Sequence, residues 1–396
     1  GICQQVRPEI QAQGSHASSA SESLAAKDSL ELQDQIRSEE NQQETFSLES
    51  RLGSFSIEEW KSNTETSGRG IIVWENSDKY FGELKVGKPC GNGSLNCADR
   101  TTYEGSWLEG MFEGLGALKL STGETYQGDF VRGKRHGKGV CKKVNGDHYE
   151  GDWVEGRRTG EGIEKCSGVV YQGSWLNDEA HGKGIMRWVG GYSYEGDWFE
   201  NERIGYGNFK YPNWYVYVGS WLNNEKHGYG EMEHGSSEDY NSYKGLWAYG
   251  KRSGYGEMDY EDGRRYQGSF EVDEPSGFGT MKWPVVEIDY WSRHDYDGAG
   301  QNVKEYDGRL YQGEFHLGYF HGHGVSTWPN GDSYEGEWVE DQRTGHGTYK
   351  YANGAVYVGS WRYDKKQGWG KMTWADGKSY EGPWLNDSAQ DVGIMQ

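Results

Sequence analysis

The feature that most constrains this chain is a sparse word written over and over at one spacing. Residues 334 to 361 read YEGEWVEDQRTGHGTYKYANGAVYVGSW. Tyr334, Gly336 and Trp338 open the stretch, and Tyr357, Gly359 and Trp361 close it, 23 residues on. The word recurs at Tyr311, Tyr266, Tyr243 and Tyr217, at Tyr194, Gly196 and Trp198, and at Tyr171. It continues at Tyr149, Gly151 and Trp153, at Tyr126, and at Tyr103, Gly105 and Trp107. It fades at Tyr80-Phe-Gly-Glu-Leu84 and appears a last time at Tyr380-Glu-Gly-Pro-Trp384. Most steps are 22 or 23 residues; the step of 45 from Tyr266 to Tyr311 is two periods around a worn unit, Asp289-Tyr290-Trp291 with Gly298-Ala-Gly300. Counting Gly-x-Gly pairs from Gly68 to Gly370 gives 14 units. A fixed period of this length means a repeat architecture.

Composition agrees. With 62 Gly, 15% aromatic residues and only 34% hydrophobic residues, the chain lacks the apolar content of ordinary globular cores. Stability must come from neighbour stacking on neighbour. Glycine at this density is incompatible with helix interiors. Alternation is visible instead: Tyr334, Gly336 and Trp338 fall on one face of a strand, Glu335 and Glu337 on the other. A second strand follows each Gly-x-Gly, as in Gly370, Met372 and Trp374. Asp376-Gly377 predicts an odd-length hairpin loop with Gly377 in the left-handed region, and Asn353-Gly354, Asp262-Gly263 and Asn145-Gly146 fit the same slot. The expected fold is all-β, a single-layer antiparallel meander of stacked hairpins. Bare glycines would be covered by rings from the adjacent strand. Two strands per unit at ~4.8 Å would make 14 units an elongated twisted rod of ~130 Å.

The pattern Tyr-x-Gly-x-Trp-x-x-Gly-x-x-x-Gly-x-Gly at this step resembles the MORN repeat (membrane occupation and recognition nexus), over residues 68 to about 387. The expected organisation is a tail over 1–67, an array over 68–387 and a short tail over 388–396. Local departures are Leu84 in place of the aromatic, the worn unit near Tyr290, and an insertion near Ser236-Ser-Glu-Asp-Tyr240. The resemblance implies a non-enzymatic scaffold, most like the long arrays of radial spoke heads and cortical cytoskeleton. Alternatives that it also implies are a regulatory region of a phosphatidylinositol phosphate kinase or a SET-type methyltransferase, and a membrane-phospholipid-binding module. Sugar or choline binding by exposed aromatics is a further alternative, though the spacing of bacterial choline-binding repeats differs.

The flanks and the polar residues narrow this. Residues 1–67 are rich in Ser, Gln and Glu; Leu24, Leu30, Leu32 and Ile36 suggest a short amphipathic helix against a preferred reading of solvated tail. Phe46, Leu48, Leu52, Phe55, Ile57 and Trp60 are placed to cap the first open sheet edge. No apolar run is long enough to span a membrane, and no signal peptide is visible. Only nine residues follow Asp387, so no catalytic domain is expected there. Cys97, Cys166 and Cys141 occupy packing slots, and the sparse cysteine usage points to a reducing compartment. His136, His181, His227 and His321 precede Gly-x-Gly pairs and read as loop decoration. The Gly-x-Gly pairs lack the lysine and the strand-to-helix setting of phosphate loops. No catalytic residue, cofactor site or metal site is expected.

The tail's 12 acids and 5 bases carry −7 of the net −21, leaving −14 on the array. Nucleic acid is therefore excluded as a partner and anionic lipid disfavoured, apart from a local basic cluster at Lys134-Arg135-His136 with Lys138, Lys142 and Lys143. On the face opposite the rings, Glu104, Asp129, Glu150, Asp152, Asp197, Glu314, Glu335, Glu337 and Glu381 recur at the repeat step. Within this stripe Glu150, Asp152, Glu335 and Glu337 are the candidate contacts for basic segments of spoke or cytoskeletal proteins, the bland reading being a solvated face. A cytoplasmic, ciliary or cytoskeletal setting and an end-to-end homodimer are the accompanying expectations.

Overall fold

The computed structural model describes residues 67–212, 214–234, 242–285 and 308–395, and the backbone of residues 55–64. The helix expected near residues 24–36, the insertion at 236–240 and the worn unit around Tyr290 lie outside the described residues. Within them there is no helix, and every main element is a strand paired antiparallel with its neighbours in sequence. The chain divides into two units, residues 1–204 and 205–396. Each is an open single-layer antiparallel meander, as the alternation requires.

The first unit begins earlier than the boundary at residue 68. Phe55–Thr64 pairs with Ser67–Trp74, from Phe55 opposite Trp74 to Thr64 opposite Ser67. The sheet thus reaches into the segment assigned to the tail.

One repeat of the second unit shows how the residues dictate the path. Ser333–Val339 is a strand whose exposure alternates: Tyr334 and Trp338 are buried, Glu335 and Glu337 exposed. A two-residue turn follows, with Glu340 at φ 48° and Asp341 at φ 64°. Both central residues are left-handed, the mark of a type I′ turn whose twist suits flanking strands. Gln342–Lys350 returns, and its register slips between Gly336 and Glu337. That slip is a β-bulge at Gly345 and His346, with Gly345 at φ 56°. The second connection is the odd loop expected from Asn353-Gly354. Tyr351 N donates to Ala355 O at 2.9 Å, Gly354 N donates to Tyr351 O at 2.9 Å, and Gly354 sits at φ 90°.

The core is a ring ladder on one face. Gly336 lies opposite Gly347, Gly347 opposite Gly359, and Gly359 opposite Gly370, so a file of glycines crosses the sheet. The ring expected from the adjacent strand covers Gly347, whereas Gly336 lies under a ring of its own strand. Tyr334 lies over both, so a side-chain carbon on either glycine would collide with the Tyr334 side chain. Its hydroxyl donates to Glu337 O at 3.2 Å. Trp338 and Trp361 then meet Tyr334 edge-on, at 5.1 and 5.3 Å between centroids, and Trp361 Nε1 donates to Gly347 O at 3.3 Å. Edge-to-face pairs of this kind contribute about 0.5–1.5 kcal/mol each beyond burial. The same pattern holds in the first unit around Tyr103 with Trp107, Tyr149 with Trp153, and Tyr194 with Trp198.

Candidate interaction surface

The ring face is closed by a position that carries no constant residue type. Nine residues after each tyrosine, opposite the tryptophan or phenylalanine across the type I′ turn, stands a cover residue. Phe112 stacks on Tyr103 at 3.7 Å and Phe320 on Tyr311 at 3.6 Å. Arg343 lays its guanidinium 4.6 Å from the Trp361 ring, and Arg158 lies 4.3 Å from Trp175. Elsewhere Lys366, Pro275 and Ala180 fill the place. Flat guanidinium groups and aromatic rings satisfy the same need, a planar surface over an aromatic face. Burial opposes the Arg158 charge, but Glu164 and Asp178 beside it outweigh that and hold its pKa above the ordinary arginine value. Sequence reasoning missed this slot, because nothing but its position repeats.

With the rings closed over, the opposite face is the accessible one, and here the acidic stripe divides. Glu150 and Glu335 point outward and are exposed. Asp152 and Glu337 are engaged: each accepts the amide of the residue after the bulge glycine, Glu161 N to Asp152 at 3.0 Å and His346 N to Glu337 at 3.1 Å. Asp129 and Glu314 do the same for Lys138 and His323, at 3.3 and 3.2 Å. Asp152 also holds Lys138 Nζ at 2.6 Å. Bulges leave backbone groups outside the ladder, and these carboxylates supply the missing acceptor. So Glu150 and Glu335 stand exposed on this face, while Asp152 and Glu337 also hold backbone amides at the bulges.

In the first unit this face forms an open groove of about 920 Å³. Ala117, Val140 and Ile163 make its floor, and Glu104, Glu150, Glu161 and Lys138 stand along it. The floor residues are cross-strand neighbours of Glu104, Glu150 and their equivalents.

The histidines expected in loops lie instead in strands. His136 opposes Asp129 and His321 opposes Glu314, beside the bulges. His181 and His227 pack near Phe199 and Tyr249, at 5.1 and 5.4 Å. Cys97, Cys141 and Cys166 are buried in the packing slots expected of them and Cys90 is half-buried; none of these four is in a disulfide among the described residues. Among the described residues no group of three or more His, Cys, Asp or Glu gathers as a metal site. No helix among them is long and apolar enough to cross a membrane.

No curated protein matches the chain. Among solved structures it is similar to the TCP domain of SAS-4 (dCPAP) of Drosophila melanogaster in complex with a proline-rich motif of Ana2 (dSTIL). That likeness has 12% identity and a TM-score of 0.26, covering 43% of this chain and 99% of that one. It is also similar to the wild-type TCP10 domain of Danio rerio CPAP in complex with a peptide of Danio rerio STIL, at 8% identity and a TM-score of 0.17, covering 77% and 93%. At such scores nothing about function carries across.

The MORN repeat family matches at residues 80–102, 103–125, 126–148, 149–168, 171–191, 194–214, 217–236, 243–264, 266–285, 311–333, 334–356 and 357–379. Of the 14 Gly-x-Gly pairs, only Gly68-Arg-Gly70 and Gly298-Ala-Gly300 fall outside these matches. Tyrosine-glycine ladders, bulges and hairpin loops recur through the matched segments, and the chain belongs to the MORN-repeat family.

Proposed function

We propose that the chain is a non-enzymatic scaffold that gathers protein partners through their basic segments, in a ciliary, radial-spoke or other cytoskeletal assembly. One observation carries the reading. The ring face is closed, while the other face shows outward carboxylates at the repeat step, with Glu104, Glu150 and Glu161 along an open groove. Each exposed ion pair contributes only ~0–1 kcal/mol, so capture rests on several contacts made at once.

The test uses the full chain and an arginine-rich probe peptide at low salt. Glu150→Gln with Glu335→Gln removes two free carboxylates and leaves the bulge acceptors in place. Binding weaker by ~threefold or more, with an unchanged melting temperature, supports the reading, since each lost surface pair is small. Unchanged affinity removes the stripe from the binding function. The cellular setting is tested by imaging the tagged chain in ciliated cells, where a diffuse distribution would refute the axonemal placement.

A further inference from the structure

The middle residue of each Gly-x-Gly projects from the exposed face, because its flanking glycines belong to the ring face. In most other units that slot is polar, with Asn92, Lys138, Glu161, Lys183, His323 and His346 in it, while Leu115 and Trp369 fill it singly. Residues 205–285 depart from this. Tyr206, Tyr229, Tyr255 and Phe278 fill the slot in four successive repeats, and they are 58%, 55%, 55% and 65% exposed. Since Asn, Lys, Glu and His serve the slot elsewhere, the fold does not require an aromatic there. A row of exposed aromatic side chains that the fold does not need marks an interaction site.

The spacing selects the ligand. The four residues lie on alternate strands, so they recur every ~9.6 Å across the sheet. A polyproline II helix advances 3.1 Å per residue with three residues per turn, or ~9.3 Å per turn. A segment laid across the strands therefore presents the same side to each ring in succession, drifting by only ~1 Å over the row. Between the rings stand smaller residues. Ser220 is opposite Tyr206, Leu246 opposite Tyr229 and Ser269 opposite Tyr255. Ridges and notches alternate, the relief that proline-rich segments recognise in aromatic-lined grooves. Carboxylates lie along the row: Glu231 accepts the Tyr229 hydroxyl at 3.3 Å, and Glu257 accepts the Gln267 amide at 2.8 Å.

We propose that Tyr206, Tyr229, Tyr255 and Phe278 form a docking site for a proline-rich, polyproline II segment of a partner protein with basic residues at its flank. The site rests on the reading that the exposed face is the one that binds, and it is separate from Glu150 and Glu335.

The full chain is titrated against a fluorescein-labelled peptide of about ten prolines flanked by arginines, ~31 Å long against ~29 Å for the row. The control replaces the prolines with alternating Gly and Ser. The proline peptide should bind saturably and ~tenfold tighter than the control, since the prolines alone enter the notches. Tyr229→Asn with Tyr255→Asn uses a residue the slot already holds at Asn92, so folding is preserved; it should lower affinity ~tenfold through loss of two aromatic platforms. Tyr229→Phe with Tyr255→Phe should keep it. Loss with the Asn pair but not with Glu150→Gln and Glu335→Gln separates the row from the acidic stripe. Equal affinity for the two peptides, no effect of the Asn pair, or displacement of the peptide by a cello-oligosaccharide or by phosphatidylserine vesicles would each overturn the proposal.

Discussion

Asp178 ties its hairpin turn to Arg158, twenty residues earlier, through one side chain. Arg158 N donates to Asp178 Oδ1 at 2.9 Å, Arg158 Nε donates to the same oxygen at 3.0 Å, and Nη2 donates to the Asp178 carbonyl at 2.8 Å. Arg343 and Asp364 repeat the arrangement, at 3.0, 2.9 and 3.0 Å. The turn residue of one repeat thus locks the cover residue of the repeat before it.

Asp178→Ala should cost ~1–3 kcal/mol, because it removes charge-assisted hydrogen bonds from a buried guanidinium. It also leaves Ala at φ 72°. Asp178→Gly should cost less, since Gly133 and Gly156 hold the same turn position elsewhere at φ 81° and 87°. Urea midpoints of the two variants decide it; a loss for the Ala variant with none for the Gly variant would mean that the clamp contributes nothing beyond the turn.

Gly336→Val should be far more damaging than Glu335→Val. A carbon added at Gly336 would meet the Tyr334 hydroxyl and stand 2.6 Å from the Gly347 Cα. Overpacking of this kind costs ~1–3 kcal/mol or more, whereas Glu335 is exposed and its replacement should stay within ~0.5 kcal/mol. Thermal melts that shift by the same amount would contradict the ring placement.

Cys141 should resist alkylation while the chain is folded. Burial pushes its thiol up to about 11; Arg135 pulls the other way, and Glu124 adds to the rise. The thiolate is the reactive form, so at pH 8 the folded chain should react with iodoacetamide many times more slowly at Cys141 than the unfolded chain does. Mass spectrometry of the modified peptide reads this out. Rapid labelling of the folded chain would mean that the segment opens.

The Asp147 carboxyl should make part of the stability acid-sensitive. The Ser167 amide donates to it at 2.8 Å and holds it below the usual carboxylate range, against a smaller opposing effect of burial. A folded pKa below the unfolded one contributes stability that is present above about pH 4 and lost as the pH falls through the folded value. Asp147→Asn should therefore flatten the acid limb of a pH–stability curve below the ordinary carboxylate range. A limb identical to that of the parent chain would rule the contact out as a contributor.

The strand-by-strand path was legible in the residues. Side chains alternate with period two along a strand, so Tyr334, Gly336 and Trp338 declare a face without reference to anything distant. Asp376-Gly377 likewise declares its loop, because only a residue tolerant of positive φ closes it, and Gly377 sits at φ 87°. The repeat step and the family pattern are local in the same sense.

Tertiary structure decided which partner meets which side chain. Tyr334 could not be assigned to Gly336 and Gly347 until the register was known. Phe112, Arg343, Pro275 and Ala180 share no chemistry, only a place opposite an aromatic across the turn, so no residue pattern marks the cover slot. Glu335 and Glu337 look equivalent as alternate acids on one face. The bulge at Gly345 leaves the His346 amide outside the ladder, and that amide engages Glu337 and leaves Glu335 free. Alternation is a property of one strand. Register, bulges and the contacts they permit belong to neighbouring strands, as Gly336 and Gly347 show, and they exist only once those strands are side by side.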